Sequence, residues 1–85
     1  MEYLVVAFRS RSHTVKFYDM LKKSGIYAEI INTPKDAGVG CGLSVKTNKN
    51  AFPAVKNAVN LARLNSFAGF FLVSVVGRKS VVRTI

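Results

Sequence analysis

The run Tyr3–Phe8 is the feature that most constrains the fold, because it places six consecutive apolar residues near the start of an 85-residue chain. The run is rich in residues that favour strands, and no polar side chain interrupts it. A strand of this composition is buried on both faces, or nearly so, and lies inside a sheet. We therefore predict that Tyr3–Phe8 is a central strand.

Two later segments show the i, i+3, i+4, i+7 spacing of a helix with one apolar face. In the first helix, this spacing puts Thr14, Phe17, Tyr18 and Leu21 on one face. Ser10 or Ser12 is its predicted N-cap, and Gly25 its predicted end. The apolar positions of the second helix are Val55, Ala58, Val59 and Ala62. Asn50 is predicted to cap this helix, with Pro53 in its first turn and its end at Asn65 or Ser66.

Three further strands are predicted, at Ile26–Ile31, from Leu43 onward and at Phe70–Val76. Residues Ser80–Ile85 either form a fifth strand or continue the fourth past a bulge at Gly77. The commonest compact arrangement of a β-α-β-β-α-β order is the ferredoxin-like split βαβ fold. It has a four-stranded antiparallel sheet with both helices on one face, and right-handed crossovers place the first strand between the third and fourth. We predict one α+β domain over residues 1–85.

Charge and cysteine content narrow the classes of function. The net charge is +9, from 13 Lys and Arg against 4 Asp and Glu, and such a field attracts polyanions. The basic residues are spread along the chain, so a solvated surface explains them as well as a specific interface does. A single cysteine excludes an internal disulfide and fits a reducing compartment. No segment resembles a signal peptide or a membrane span, so we expect a cytoplasmic protein.

The single cysteine, Cys41, lies in the glycine-rich stretch Gly38–Ser44. A structural cysteine usually packs like a small apolar side chain, whereas glycine neighbours leave a thiol uncovered. In the predicted topology this stretch joins the second and third strands, at the sheet end where the first helix begins. Cys41 is then expected near Arg9, Arg11 and His13.

Nearby groups can lower the pKa of such a thiol. Cations and a helix N-terminus both favour the thiolate, which is the nucleophilic form. Lys35 and Lys46 come from the same hairpin as Cys41, and the N–H groups of Gly40 and Gly42 can hold an anionic sulfur. His13 can serve as a base, although a single histidine in a first helical turn is usually a solvated surface residue. The alternative is a glycine-rich hairpin whose cysteine has no role.

A pattern of motifs runs through the first half of the chain. Phe8-x-Ser10 opens a helix, Gly25-Ile26 closes it, and Thr33-Pro34-Lys35 precedes Cys41-Gly42-Leu43 by five residues. The pattern resembles a small bacterial family of selenium/sulfur carrier-like proteins. The resemblance implies that Cys41 accepts sulfur or selenium, as a persulfide or a mixed disulfide, and that donor and acceptor proteins are the partners. Thr33 and Lys35 then shape the loop.

Other functions are less well supported. One Cys and one His cannot close a zinc site, the spacing Gly38-x-Gly40-x-Gly42 is not that of a nucleotide loop, and the four carboxylates are scattered. We expect no metal and no cofactor, and a carrier or binding protein rather than an enzyme. The alternative function is a small basic binding or regulatory domain for nucleic acid or an anionic ligand, in which binding to nucleic acid is electrostatic and unspecific. The apolar C-terminal strand also predicts a homodimer through strand pairing.

Overall fold

The computed structural model describes residues 1–38 and 42–85. Within these ranges the chain forms five strands and two α-helices, in the order β1 (Glu2–Phe8), α1 (Arg11–Lys23), β2 (Glu29–Asn32), β3 (Leu43–Thr47), α2 (Phe52–Ala62), β4 (Phe67–Val76) and β5 (Lys79–Thr84). Short 3₁₀ helices, Lys35–Ala37 and Lys49–Ala51, precede β3 and α2. The predicted α+β class is confirmed.

The strands form one antiparallel sheet in the order β2-β3-β1-β4-β5. β1 lies between β3 and β4, as predicted, with Val5 opposite Lys46 on one side and Phe71 on the other. The described sheet has five strands rather than four. β5 is a separate strand, because Val76 pairs with Lys79 across a two-residue turn, with a φ of 61° at Gly77. A bulge that continues β4 is therefore excluded.

Alternate residues of β1 contribute to two separate apolar clusters, and Leu4 to Phe8 are all fully buried. Leu4, Val6 and Phe8 point to what we call the helix face, where Phe17 and Leu21 of α1 and Val55 of α2 pack against them. Phenylalanine rings connect these elements: the ring centroids of Phe8 and Phe17 are 5.2 Å apart. Both helices thus cover one face, and the burial of β1 confirms the prediction of a central strand.

Val5, Ala7, Phe71 and Val73 define the opposite side of the sheet, which we call the loop face. All four are buried, although both helices lie on the other side. The side chains that pack on them come from the sheet itself and from the 3₁₀ helix after β2: Tyr3, Ile31, Ala37, Ala68, Val75 and Val82. The 3₁₀ helix Lys35–Ala37 also contacts β5, so the segment after β2 crosses this face of the sheet.

Several predicted boundaries are wrong, each for a local reason. β2 starts at Glu29 and not at Ile26, because the N–H of Ile26 donates to the carbonyl of Leu21 to close α1 (2.9 Å). α2 ends at Ala62, since Arg63 adopts a left-handed conformation with a φ of 51°. Asn50 does not cap α2; it lies in the 3₁₀ helix that leads into it. β4 begins three residues earlier than predicted, where Phe67 pairs with Phe8.

Candidate functional site

The beginnings of α1 and β3 meet at one end of the sheet. The hydroxyl of Thr14 donates to the carbonyl of Ser10 (3.1 Å) and approaches the carbonyl of Leu43 at 3.4 Å. Ser10 is the N-cap of α1, and its hydroxyl accepts a hydrogen bond from the N–H of His13 (3.3 Å). Leu43 follows Cys41 by two positions. The first turn of α1 therefore lies beside the strand that the cysteine precedes, as the topology predicted.

Cys41 itself and Gly40 lie outside the described residues, and the described neighbours of this segment are Gly38 and Gly42. Both have positive φ angles, 65° and 97°, a conformation that costs other residues about 1–2 kcal/mol. The carbonyl of Gly42 accepts a hydrogen bond from the N–H of Thr33 (2.9 Å). This bond extends the β2–β3 ladder by one pair and fixes the position at which the chain re-enters the sheet.

A pair of hydroxyl groups strengthens the base of the same hairpin. The hydroxyls of Thr33 and Ser44 are 2.7 Å apart, and Ser44 is fully buried on β3, opposite Ala7. A buried hydroxyl needs a partner, because an unpaired one costs about 1–3 kcal/mol. Thr33 was predicted to shape the loop, whereas Ser44 was missed. One feature of the sequence could have indicated this pair: a serine lies on a predicted buried strand, eleven positions after a threonine.

The predicted residues around the start of α1 have different environments. Arg9 and Arg11 are exposed, and the backbone N–H of Arg9 donates to the carbonyl of Ser66 (2.7 Å). His13 is half-buried, and its Nδ1 lies 2.6 Å from the hydroxyl of Ser66. His13 is thus a partly exposed residue whose ring also contacts a side chain of another segment. This contact ties the first turn of α1 to the segment before β4.

Lys35 lies on the other side of the sheet from α1. It is exposed and lines a groove of about 300 Å³ on the loop face. The residues around this groove come from β1, the segment after β2, β4 and β5: Tyr3, Asn32, Pro34, Lys35, Asp36, Val73, Ser80 and Val82. Because α1 packs on the helix face, the structure does not gather all the predicted cations at one place. Lys35 belongs to the groove, and Arg9 and Arg11 to the end of the sheet.

Lys46 is occupied by contacts within the sheet. Its ammonium lies 3.7 Å from a carboxylate oxygen of Glu29 and 4.6 Å from the centre of the Tyr3 ring. The same carboxylate of Glu29 accepts a hydrogen bond from the hydroxyl of Tyr27, which raises the pKa of that hydroxyl above its ordinary value. Lys46 lies two residues after Ser44 on β3, and these contacts fix the position of its side chain. Lys46 is thus a structural residue of the loop face.

Within residues 1–38 and 42–85, no group of three or more His, Cys, Asp or Glu side chains is placed to hold a metal ion. No helix in the same ranges is long and apolar enough to cross a membrane.

Comparison with known proteins identifies a family. A model of the family described as "Putative Se/S carrier protein-like" matches residues 3–65, a stretch that runs from β1 to just beyond α2 and includes position 41. Searches of curated proteins and of solved structures gave no match. Since the family match covers well over half of the 85 residues, the chain belongs to the Se/S carrier protein-like family.

Proposed function

We propose that the protein is a carrier that accepts a sulfur or selenium atom on Cys41 and passes it to a partner protein. Membership of the Se/S carrier protein-like family is the observation that carries this proposal. Cys41 is the one thiol of the chain, so a chalcogen held covalently on a thiol has this acceptor alone. The described anchors on either side of the segment support a role for it: the Thr33–Ser44 pair and the bond from Thr33 to Gly42.

The transfer is an exchange at a sulfur atom. The Cys41 thiolate attacks the outer sulfur of a donor's cysteine persulfide, a new S–S bond forms on Cys41, and the donor cysteine leaves as a thiolate. Cys41 then holds the persulfide, and an acceptor thiolate removes the outer sulfur by the same exchange. No net oxidation occurs in either step. Selenium follows the same path when the donor holds it as a selenopersulfide.

The neighbours of Cys41 are proposed to tune its reactivity. Arg9 and Arg11 are exposed cations at the end of the sheet where α1 and β3 begin, and cations favour a thiolate. His13 lies in the same helical turn and is the candidate base. The N–H groups of Gly40 and Gly42 are candidate donors to an anionic sulfur, and Lys35 acts from the groove on the loop face.

The setting of this function is also a proposal. We interpret the fold as ferredoxin-like with one strand added after β4, and we expect a cytoplasmic protein in a reducing compartment. Donor and acceptor proteins are the expected partners. A net charge of +9 favours acidic docking surfaces on these partners, because opposite charges accelerate encounter.

The test is a loading and unloading experiment followed by intact mass. The reduced protein is incubated with a cysteine desulfurase and cysteine, desalted, and then mixed with a small-molecule thiol. We expect one added sulfur atom on the wild type, its removal by the thiol, and no addition on Cys41→Ser. Iodoacetamide alkylation against pH is measured in parallel, and we expect a midpoint below that of a free thiol. A midpoint above it, with no added sulfur, refutes the carrier function.

The charge of +9 favours a second candidate function, a basic binding or regulatory domain for nucleic acid or an anionic ligand. Binding to nucleic acid is then electrostatic, tolerant of sequence and weakened by salt. In this case Cys41 has no role. Retention of RNA or DNA that falls with salt and is equal for the wild type and Cys41→Ser supports this candidate, whereas no retention at low salt removes it.

The homodimer expected from the apolar C-terminal strand would form by pairing of β5 with a second copy, although the basic residues Lys79 and Arg83 of the two copies oppose this pairing. It stays a prediction. Sedimentation at tens of micromolar distinguishes the two states: a dimer supports strand pairing between copies, and a monomer alone contradicts it.

A further inference from the structure

β5 is a terminal strand of the described sheet and leaves a row of backbone groups pointing away from β4. The N–H of Ile85 donates to the carbonyl of Phe70 (3.1 Å), so this pair is hydrogen-bonded. In an antiparallel ladder hydrogen-bonded and non-bonded pairs alternate. From the register of the two strands, the N–H and C=O groups of Ser80, Val82 and Thr84 point away from β4. These three residues form what we call the β5 edge.

The side chains beside this edge have a strong bias of charge. Arg78, Lys79 and Arg83 are exposed, and residues 77–85 contain no Asp or Glu. Arg83 lies 3.7 Å from the carboxylate of Glu2 and remains 59% exposed. Between the basic residues, Val81 is 54% exposed. The surface next to the free backbone groups is therefore basic, with an apolar position between two cations.

The two sides of β5 carry different types of side chain, which alternate along the strand. Lys79, Val81 and Arg83 alternate along the strand with Ser80 and Val82, and the latter two line the groove on the loop face. A strand added at this edge would place every second side chain beside Lys79 and Arg83. Its other side chains would lie beside Val82 and the groove. Acidic residues suit the first set of positions, and small or apolar residues suit the second.

We propose that the β5 edge binds an extended segment of a partner protein in which acidic residues alternate with small apolar ones. The segment adds a strand to the sheet, so backbone hydrogen bonds supply affinity and the alternating side chains supply specificity. The β5 edge is formed by Ser80, Val82 and Thr84, and the proposal stands whether or not Cys41 carries sulfur. It gives the protein a docking surface outside residues 3–65, the part matched by the family.

Charge selects a foreign acidic segment over a second copy of this chain. Antiparallel pairing of two β5 strands would bring the basic residues of both copies along one short interface, where like charges repel. The other edge of the described sheet, β2, is a weaker candidate. It has four residues against six in β5, and it begins with an acidic residue, Glu29. An acidic segment is therefore expected to bind at β5 and not at β2.

The test uses the full chain labelled with ¹⁵N and an eight-residue peptide with blocked ends, in which glutamate alternates with valine or threonine. We expect the amide signals of Ser80, Val82 and Thr84 to shift on titration, and these amides to gain protection from hydrogen exchange. Affinity is measured by fluorescence anisotropy on a labelled peptide. A peptide with glutamine for every glutamate should bind at least about fivefold more weakly, since each opposite-charge pair across strands contributes a few tenths to one kcal/mol.

Two controls separate the proposal from general charge attraction. A peptide methylated on the backbone nitrogens of one edge keeps its charges but loses its pairing donors, and it should not bind measurably. Lys79→Glu should weaken binding of the acidic peptide about fivefold, whereas Lys22→Glu on α1, the helix that contacts β1, β2 and β3, should have little effect.

Three outcomes overturn the proposal. The first is equal affinity for the methylated peptide. The second is a set of shifts centred on Ile30 and Asn32 of β2 in place of β5. The third is a change of the β5 signals when the protein alone is diluted, because a second copy is then the occupant of the edge.

Discussion

The helix face and the loop face of the sheet bury residues of the same central strand but cover them differently. On the helix face, Leu4, Val6 and Phe8 lie under two helices, with a chain of phenylalanine rings between them. On the loop face, Val5 and Ala7 are equally buried, and among the described residues their cover outside the strands is a 3₁₀ helix that contributes Ala37. One face is held by regular elements, and the other by a segment that leads to the cysteine.

Stability and function therefore depend on different faces of the sheet. The helix face holds most of the large buried side chains, so it is expected to dominate the free energy of unfolding. The loop face carries the groove, the Thr33–Ser44 pair and the 3₁₀ helix Lys35–Ala37. Substitutions there should alter the loop before they unfold the domain.

The largest expected effect is loss of a ring from the helix face. Phe8 is fully buried and contacts the rings of Phe17 and Phe67, with centroids 5.2 and 5.8 Å away. Phe8→Ala should lower the free energy of unfolding by about 3–5 kcal/mol, enough to unfold a large fraction of a small domain. Urea denaturation measures it. The matched change on the loop face, Phe71→Ala, should lower the free energy of unfolding by less, because a short segment can close over the space. An equal loss in the two variants would contradict the difference between the two faces.

A smaller effect is expected at the hydroxyl pair beneath the hairpin. Thr33→Val keeps the shape of the side chain but leaves the buried hydroxyl of Ser44 without this partner, so it should cost about 1–3 kcal/mol. The double variant Thr33→Val/Ser44→Ala removes both hydroxyls and should cost less than the sum of the two single changes. Urea denaturation of the three variants gives the coupling. Additive losses would show that the two hydroxyls do not interact.

The smallest expected effect is on the pH dependence of the free energy of unfolding, through Glu2 at the edge of the helix face. The hydrogen bond from Lys49 lowers the pKa of Glu2 below its ordinary value, and the bond from Ser74 adds to this. A carboxylate with a lowered pKa stabilises the fold above its unfolded pKa, near 4.5, and this contribution is lost as the pH falls through the folded value. Glu2→Gln should therefore reduce the loss of stability between pH 6 and pH 3.

Ser74→Ala is the matched variant for this prediction. It removes one of the two hydrogen bonds to Glu2 and keeps the carboxylate, so its acid sensitivity should lie between those of the wild type and Glu2→Gln. Urea midpoints at the two pH values measure both variants. An unchanged pH dependence in Glu2→Gln would contradict the assignment of the lowered pKa to these contacts.

The sequence predicts the helix face well, because regular elements leave periodic patterns. The apolar positions of α1, the N-cap at Ser10 and the uninterrupted run in β1 all follow from local spacing, and the structure confirms them. The predicted place of β1 between β3 and β4 is also correct, because short right-handed connections leave few alternatives. Errors on this side are confined to the ends of elements, such as Asn50 and Arg63, where local backbone geometry decides.

The loop face was not predictable in the same way. The segment that covers this face is short and non-periodic, and no local pattern predicts that Lys35–Ala37 crosses the sheet to reach β5. Lys35 is predicted to act on Cys41 from the same hairpin, and the structure shows it in the groove of the loop face. The hydroxyl pair depends on the register of β2 against β3, which a single sequence does not specify for two such short strands.

The most direct test of the account is sulfur loading of a thiol at two positions of the same protein. Ser24 is exposed at the other end of α1 from the Arg11 turn, so Cys41→Ser/Ser24→Cys moves the single thiol away from the hairpin without adding a second one. Both proteins are incubated with a cysteine desulfurase and cysteine, and their intact masses are then measured by mass spectrometry. We predict one added sulfur atom on the wild type and none on the relocated thiol. Equal loading of the two proteins would contradict it.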